Sequence, residues 1–245
     1  MTLDSYTSGK AMHVDVAAIE REITRLWKDA AEPGSEETAP VMRACLLNLL
    51  VVTGPEGSSP DLARTLATVV QARPCRILLL QIDAALPSGS LDAWISAHCI
   101  VPRNGERQVC CEQITVRSSA DAAVHLPSLA SALAASDLPI LLWVPRWPPP
   151  DPEALLRLAG ITGRVIVDSI GMTPAELAAT GSRHASMGDL NWDRLLPFQW
   201  AVARAFDSHL LRPLASEIRG VATTGGDGSE TASVLFTGWL RSVLG

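Results

Sequence analysis

Residues 53–59 are the part of the sequence that comes nearest to a phosphate-binding loop. They follow an apolar run and precede a helical pattern, which is where nucleotide-binding α/β proteins place a glycine-rich loop. The segment lacks the lysine followed by serine or threonine that contacts the terminal phosphates and Mg²⁺. Glu56 would also put a negative charge beside the phosphates. The sequence favours a plain connecting loop here, and phosphate binding stays the alternative.

A second glycine-rich segment, residues 225–229, precedes the last helical pattern. A helix N-terminus can hold an anion. However, this segment follows no predicted strand, and Asp227 would repel an anion. We therefore expect a flexible linker.

Histidine and cysteine side chains could hold a metal, and His98 and Cys99 face Cys110 and Cys111 across a predicted hairpin. Adjacent side chains on a strand point to opposite faces, so one face offers two of these groups at most. A structural zinc site takes four ligands. We therefore expect core thiols, a structural histidine, and neither a metal nor another cofactor. A redox-active thiol stays open as an alternative.

Nucleophilic catalysis has no recognisable motif, since Gly-x-Ser-x-Gly is absent from the sequence. Asp168 ends a predicted strand, a position where α/β enzymes place functional carboxylates. With Ser169 it could equally stabilise the turn that follows, and this structural role is the one we favour.

Two further segments combine tryptophan and arginine, which are enriched at binding hot spots. Residues 143–147 leave an apolar run and lead into three prolines, and residues 188–195 precede a helical pattern. Each segment could instead be structural, as a core aromatic or as a helix cap. The candidate partner-binding residues are Trp143, Arg146, Trp147, Asp189, Asn191, Trp192 and Arg194.

The composition excludes several classes of protein. Of the 245 residues, 47% are hydrophobic and 19% charged, with a net charge of −6, so neither disorder nor a nucleic-acid partner is expected. The longest apolar stretches are about half of what a membrane-spanning helix needs, and the N-terminus lacks a signal peptide. Five cysteines, an odd number, make a secreted disulfide framework unexpected. We expect a cytoplasmic protein without membrane contact.

Apolar runs and helical patterns alternate along the chain. The predicted strands are residues 45–53, 76–83, 94–101, 108–117, 138–144 and 164–169, and the predicted helices begin near residues 15, 60, 126, 152, 174, 193 and 230. A cap residue followed by proline opens three of these helices, at Ser59, Asp151 and Thr173. Asn104-Gly105 predicts a hairpin turn between the third and fourth strands.

This order predicts an α/β fold with a layered, mixed and mostly parallel sheet flanked by helices. It includes one antiparallel hairpin and a helical C-terminal portion. We expect three parts: residues 1–40 as an N-terminal helix and linker, 41–183 as the α/β domain, and 184–245 as a helical C-terminal appendage.

Six ordered blocks of the sequence resemble the glucose-6-phosphate dehydrogenase assembly protein family, OpcA. The blocks are residues 43–49, 73–76, 108–114, 137–143, 164–169 and 188–195, the last followed by Pro197. Residues 238–240 resemble the start of a further family segment. Phe198 departs from the pattern, which has tryptophan there.

The resemblance implies a non-catalytic partner that promotes the assembly or activity of glucose-6-phosphate dehydrogenase, in the oxidative pentose phosphate pathway. The family brings no catalytic residues to carry over. Two alternatives stay open. One is a small nucleotide- or sugar-phosphate-binding enzyme that uses residues 54–59, Arg146 and Asp168, and the other is a thiol-based redox switch.

Overall fold

The computed structural model describes residues 5–7, 12–13, 15–31, 41–100, 108–180, 186–226 and 228–244. Within these residues the chain forms one sheet with helices on both faces. The strands are β1 (Ser5–Thr7), β2 (Met12–His13), β3 (Val41–Arg43), β4 (Asn48–Thr53), β5 (Arg76–Ile82), β6 (Leu91–Ile100), β7 (Gln108–Ser118), β8 (Ile140–Val144), β9 (Arg164–Val167) and β10 (Ser186–Asp189). The helices are α1 (Val16–Ala31), α2 (Pro60–Ala72), α3 (Leu126–Leu133), α4 (Pro152–Ala159), α5 (Pro174–Ala179), α6 (Leu190–Phe206) and α7 (Glu230–Leu244).

The sheet has the order β1-β6-β7-β5-β4-β8-β9-β10, and β2 and β3 pair with β6 and β7. Strands β4, β5, β7, β8, β9 and β10 run parallel, whereas β6 is antiparallel to its neighbours. The predicted fold class is therefore confirmed. The strand order reverses between β4 and β8, because the chain leaves β4 through α2 toward β5 and leaves β8 through α4 toward β9 on the other side.

The core has one layer on each face of the sheet. On one face Ile19 of α1, Leu126 of α3 and Leu158 of α4 pack against the strands, all without solvent exposure. On the other face Leu66 and Val70 of α2 do the same. Alternate residues of β4 and β5 supply both layers, so these strands are buried throughout, as expected of central parallel strands.

The predicted helix starts are set by side-chain caps. The Ser59 side chain accepts from Leu62 N, Asp151 accepts from Glu153 N and Ala154 N, and Thr173 forms a capping box with Glu176. One predicted helix start, near residue 193, is wrong by three residues. Helix α6 begins at Leu190, and Asp189 is its cap, because the Asp189 carboxylate accepts from Asn191 N at 2.9 Å.

The predicted hairpin strands pair with the expected register, His98 opposite Cys111 and Cys99 opposite Cys110. The predicted turn at Asn104-Gly105 lies outside the described residues. Cys99 and Cys110 form a disulfide, which corrects the expectation that both are free thiols. Opposite residues of an antiparallel pair lie close enough for such a bond, and here the Cα atoms are 4.1 Å apart.

Four strands, β1, β2, β3 and β10, have no counterpart among the predicted strands. Ser5–Thr7, in the part expected to be an N-terminal helix and linker, pairs with β6, and Ser186–Asp189 adds a parallel edge strand beside β9. The linker predicted at residues 32–40 lies outside the described residues.

Candidate functional site

The two segments with tryptophan and arginine lie near each other at the carboxyl ends of neighbouring strands. Strands β8, β9 and β10 are parallel neighbours, and Val144, Val167 and Asp189 lie side by side in register. Two inter-strand spacings, about 10 Å, therefore separate the backbone at Val144 from that at Asp189. The sequence-predicted residues thus form one region at the carboxyl ends of these strands.

The first segment divides its side chains between the two faces of the sheet. Trp143 packs against the layer on the α2 side, whereas Trp147 packs against the opposite layer. Trp147 also contacts Glu176, whose pKa is lowered by hydrogen bonds from the backbone and side chain of Thr173 and from Trp147. Arg146 is exposed and makes no ion pair with a described residue. In this segment, therefore, Arg146 is exposed to solvent, and Trp147 fixes the segment to the core.

Trp143 and Arg146 share a cavity of about 210 Å³ with the loop that follows β4. In that loop Gly54 N donates to Glu56 Oε1 at 3.2 Å. The Glu56 carboxylate thus accepts a hydrogen bond from the Gly54 backbone N–H, a group that would donate to the phosphate in a phosphate-binding loop. This contact fits the connecting loop favoured from the sequence.

Asp168, which follows β9, is held by an arginine from α6. Arg194 donates two hydrogen bonds to the two carboxylate oxygens of Asp168, at 2.8 and 2.7 Å. The bond from Arg194 lowers the pKa of Asp168, and Ile170 N, which donates to the same carboxylate, adds to this effect. Asp168 is therefore an ionised, paired carboxylate that ties the loop after β9 to α6.

Asp189 and Asn191 hold the same loop from the other side. Ser169 Oγ donates to Asp189 Oδ2 at 2.7 Å, and Asn191 Nδ2 donates to Ser169 Oγ at 3.1 Å. Ser169 has no solvent exposure and Asn191 has 5%. These side chains position the start of α6. No local pattern predicts Ser169 as a member of this network, because its partner carboxylate lies 20 residues away.

Trp192 lies in a larger groove of about 660 Å³ between the edge of the sheet and α5, α6 and α7. The groove is lined by apolar side chains from β8, β9 and the helices together with Asp189, Asp193 and Arg164. Further along α6, Phe198 and Trp200 are 63% and 65% exposed.

The remaining candidate chemistry concerns thiols and metals. Burial raises the pKa of Cys75 to about 12 and that of Cys111 to about 11, so both are protonated at neutral pH and poorly reactive. Among the described residues, no cluster of three or more histidine, cysteine or acidic side chains is arranged to hold a metal ion. The helices in the described ranges are all too short or too polar to span a bilayer.

The fold and the site define an open α/β protein with a reversal of strand order and a tryptophan- and arginine-bearing region at the carboxyl edge of its sheet. Two family models match it in succession, and both describe a glucose-6-phosphate dehydrogenase subunit. The model of the N-terminal domain matches residues 66–183, and the model of the C-terminal domain matches residues 185–245. The chain belongs to the OpcA family of these subunits.

Relatives from cyanobacteria carry the provisional name "OxPP cycle protein OpcA". The Nostoc punctiforme protein is 33% identical over 199 residues, which cover 79% of this chain and 42% of the relative. The Synechocystis protein is 30% identical over 194 residues, covering 76% of this chain and 41% of the relative. The chain therefore spans about two fifths of the length of the curated relatives it matches.

Proposed function

We propose that this chain binds glucose-6-phosphate dehydrogenase and promotes its assembly or activity without catalysing a reaction itself. The observation that carries the proposal is the match of both dehydrogenase-subunit models, which together extend from residue 66 to residue 245. The polar groups at the edge of the sheet support a non-catalytic role. Asp168 is paired with Arg194, and Ser169 and Asp189 bond to each other, so their contacts are those of structural groups.

The contact surface that we propose combines Arg146, Trp192 and Arg194 with Phe198. Asp168 holds the Arg194 guanidinium in a fixed position, and Arg194 keeps about half of its side chain exposed. Phe198 lies one helical turn further along α6, so the two side chains are neighbours on its surface. An aromatic ring beside a fixed arginine is typical of an interface hot spot.

The other candidate residues support this surface without facing a partner. Asn191 is too buried for a partner to reach, Asp189 caps α6, and Trp147 anchors its loop. We therefore assign these three residues a positioning role. Trp143 lines the small cavity.

An assembly factor must bind the active oligomer of the enzyme more tightly than the inactive form, because only a difference in affinity shifts the population. Mixing the purified chain with the cognate dehydrogenase should give a complex in size-exclusion chromatography. It should also lower the KM for the sugar phosphate or raise kcat. If no complex forms and neither kinetic constant changes, the proposal is wrong.

The variant Phe198→Ala tests the contact surface. We expect it to weaken binding about 5- to 30-fold, or about 1–2 kcal/mol, by analogy with hot-spot truncations. Leu156→Ala is the matched control, because Leu156 is 58% exposed on α4 and lies outside the proposed surface. Equal losses for the two variants, or no loss for Phe198→Ala, would place the contact elsewhere.

A further inference from the structure

The cavity between the loops after β4 and β8 lies at the reversal of the strand order. Open α/β sheets bind their ligands at such a point, because the two loops diverge to opposite faces and leave a crevice outside the strand ends. Residues from both loops and from the first turn of α2 line this cavity: Thr53, Glu56, Ser59, Asp61, Trp143 and Arg146. Its position alone makes it the expected ligand site of this fold.

Two nitrogen donors at this cavity have no hydrogen-bond or ion-pair partner among the described residues. Trp143 Nε1 is buried and has no acceptor among the described residues. The Arg146 guanidinium pairs with none of the described carboxylates, although Glu56 and Asp61 line the same cavity. A buried donor without an acceptor is costly. An oxygen-rich ligand would satisfy both groups.

The charges at the cavity define the orientation of such a ligand. Arginine matches the geometry of a phosphate group, so the anionic end belongs beside Arg146. Glu56 and Asp61 occupy the β4 loop and the start of α2, where they would repel phosphate. Carboxylates accept hydrogen bonds from hydroxyl groups, so the hydroxylated end belongs beside them.

The size of the cavity restricts the ligand further. Its volume of about 210 Å³ is below the ~300–1,000 Å³ that sites for drug-sized ligands occupy. We propose that this cavity binds a small sugar phosphate, with the phosphate on Arg146, the hydroxyls on Glu56 and Asp61, and a ring or hydroxyl oxygen on Trp143 Nε1. Binding to the isolated chain does not require the dehydrogenase, so this proposal and the proposed function can fail separately.

Isothermal titration of the purified chain with glucose 6-phosphate, glucose and inorganic phosphate tests the ligand class. We expect saturable binding of glucose 6-phosphate, with glucose and inorganic phosphate each at least about tenfold weaker, because each probe satisfies only one end of the cavity. Binding of glucose 6-phosphate weaker than about 10 mM would overturn the proposal. Equal binding of inorganic phosphate would also overturn it, since this indicates a simple anion site.

Two variants locate the binding. Arg146→Gln should weaken glucose 6-phosphate binding at least about tenfold, because it removes the charge that faces the phosphate. Trp143→Phe should weaken binding less, since it keeps an aromatic ring and removes the donor. Arg157→Gln is the control, because Arg157 pairs with Glu153 on α4 and does not line the cavity. Unchanged binding by Arg146→Gln, or an equal loss by Arg157→Gln, would overturn the assignment.

Discussion

Glu112 is a buried carboxylate that two arginines from different strands contact. Arg43 of β3 and Arg76 of β5 both donate to it, and the Arg76 Nε–Glu112 Oε1 distance is 2.8 Å. Burial alone would raise the pKa of Glu112. The hydrogen bond from Arg43 and the charges of both arginines outweigh burial and lower it. The cluster thus joins β3, β5 and β7 through one ionised group.

Replacing the Glu112 carboxylate should lower the free energy of unfolding by more than breaking a surface ion pair does. Glu112→Gln leaves Arg76, which is 5% exposed, with only its 3.4 Å contact to the partly exposed Glu20 as an ion pair, and breaking a buried pair costs about 3–5 kcal/mol. Urea unfolding at neutral pH measures this loss. Glu153→Gln is the control, since its pair with Arg157 is exposed and worth about 0–1 kcal/mol.

The same cluster predicts a direction for the pH dependence. A carboxylate with a lowered pKa in the folded state stabilises fully above its unfolded pKa, and the effect is lost as the pH falls through the folded value. The difference in the free energy of unfolding between wild type and Glu112→Gln, here called the stability gap, should therefore become smaller as the pH is lowered. A gap that stays constant down to low pH would contradict the ion-pair explanation.

Asp189 is the second residue with a measurable structural role. Asp189→Ala removes the cap of α6 and leaves the buried Ser169 hydroxyl without its acceptor. We expect a loss of about 1–3 kcal/mol in the free energy of unfolding, from the cap and the unpaired hydroxyl together. Asp193→Ala, in the exposed first turn of the same helix, is the control in urea unfolding. A similar loss for both variants would indicate a general charge effect at the helix N-terminus.

At the scale of elements, local chemistry decides which parts of the fold could be predicted. Ser59, Asp151 and Thr173 each cap a helix followed by proline, and a pattern of this kind is visible in a few residues of sequence. Strand β10 gives no such signal, because Ser186–Asp189 contains glycine and aspartate, which are depleted in strands. It is a strand because β9 offers it an edge to pair with.

At the scale of the whole molecule, the candidate site depends on contacts that no local pattern specifies. The sequence could name the β4 loop, Arg146 and Asp168 as one alternative ligand site. The structure brings the loop and Arg146 together across the reversal between β4 and β8, whereas Asp168 is paired with Arg194 two strands from β4. The order of strands in a sheet is a long-range property, so the cavity could not be derived from periodicity alone.

The disulfide is a property of the whole molecule as well, because its presence depends on the redox environment in which the chain folds. A cytoplasmic location, predicted from the odd number of cysteines, would favour reduced thiols, since disulfides are rare in a reducing cytosol. Whether Cys99 and Cys110 are bonded, whereas buried Cys75 is a free thiol, can be measured directly by counting free thiols.

Titrating thiols in the unfolded protein without reductant should therefore detect three of the five cysteines, and all five after reduction. Because the bond closes a loop of 11 residues, its loss should lower the free energy of unfolding by roughly 2–3 kcal/mol through the entropy of the unfolded chain. The double variant Cys99→Ser/Cys110→Ser measures this loss, and Cys45→Ser is the control. Five reactive thiols before reduction would show that the hairpin pairs through its backbone register without the covalent bond.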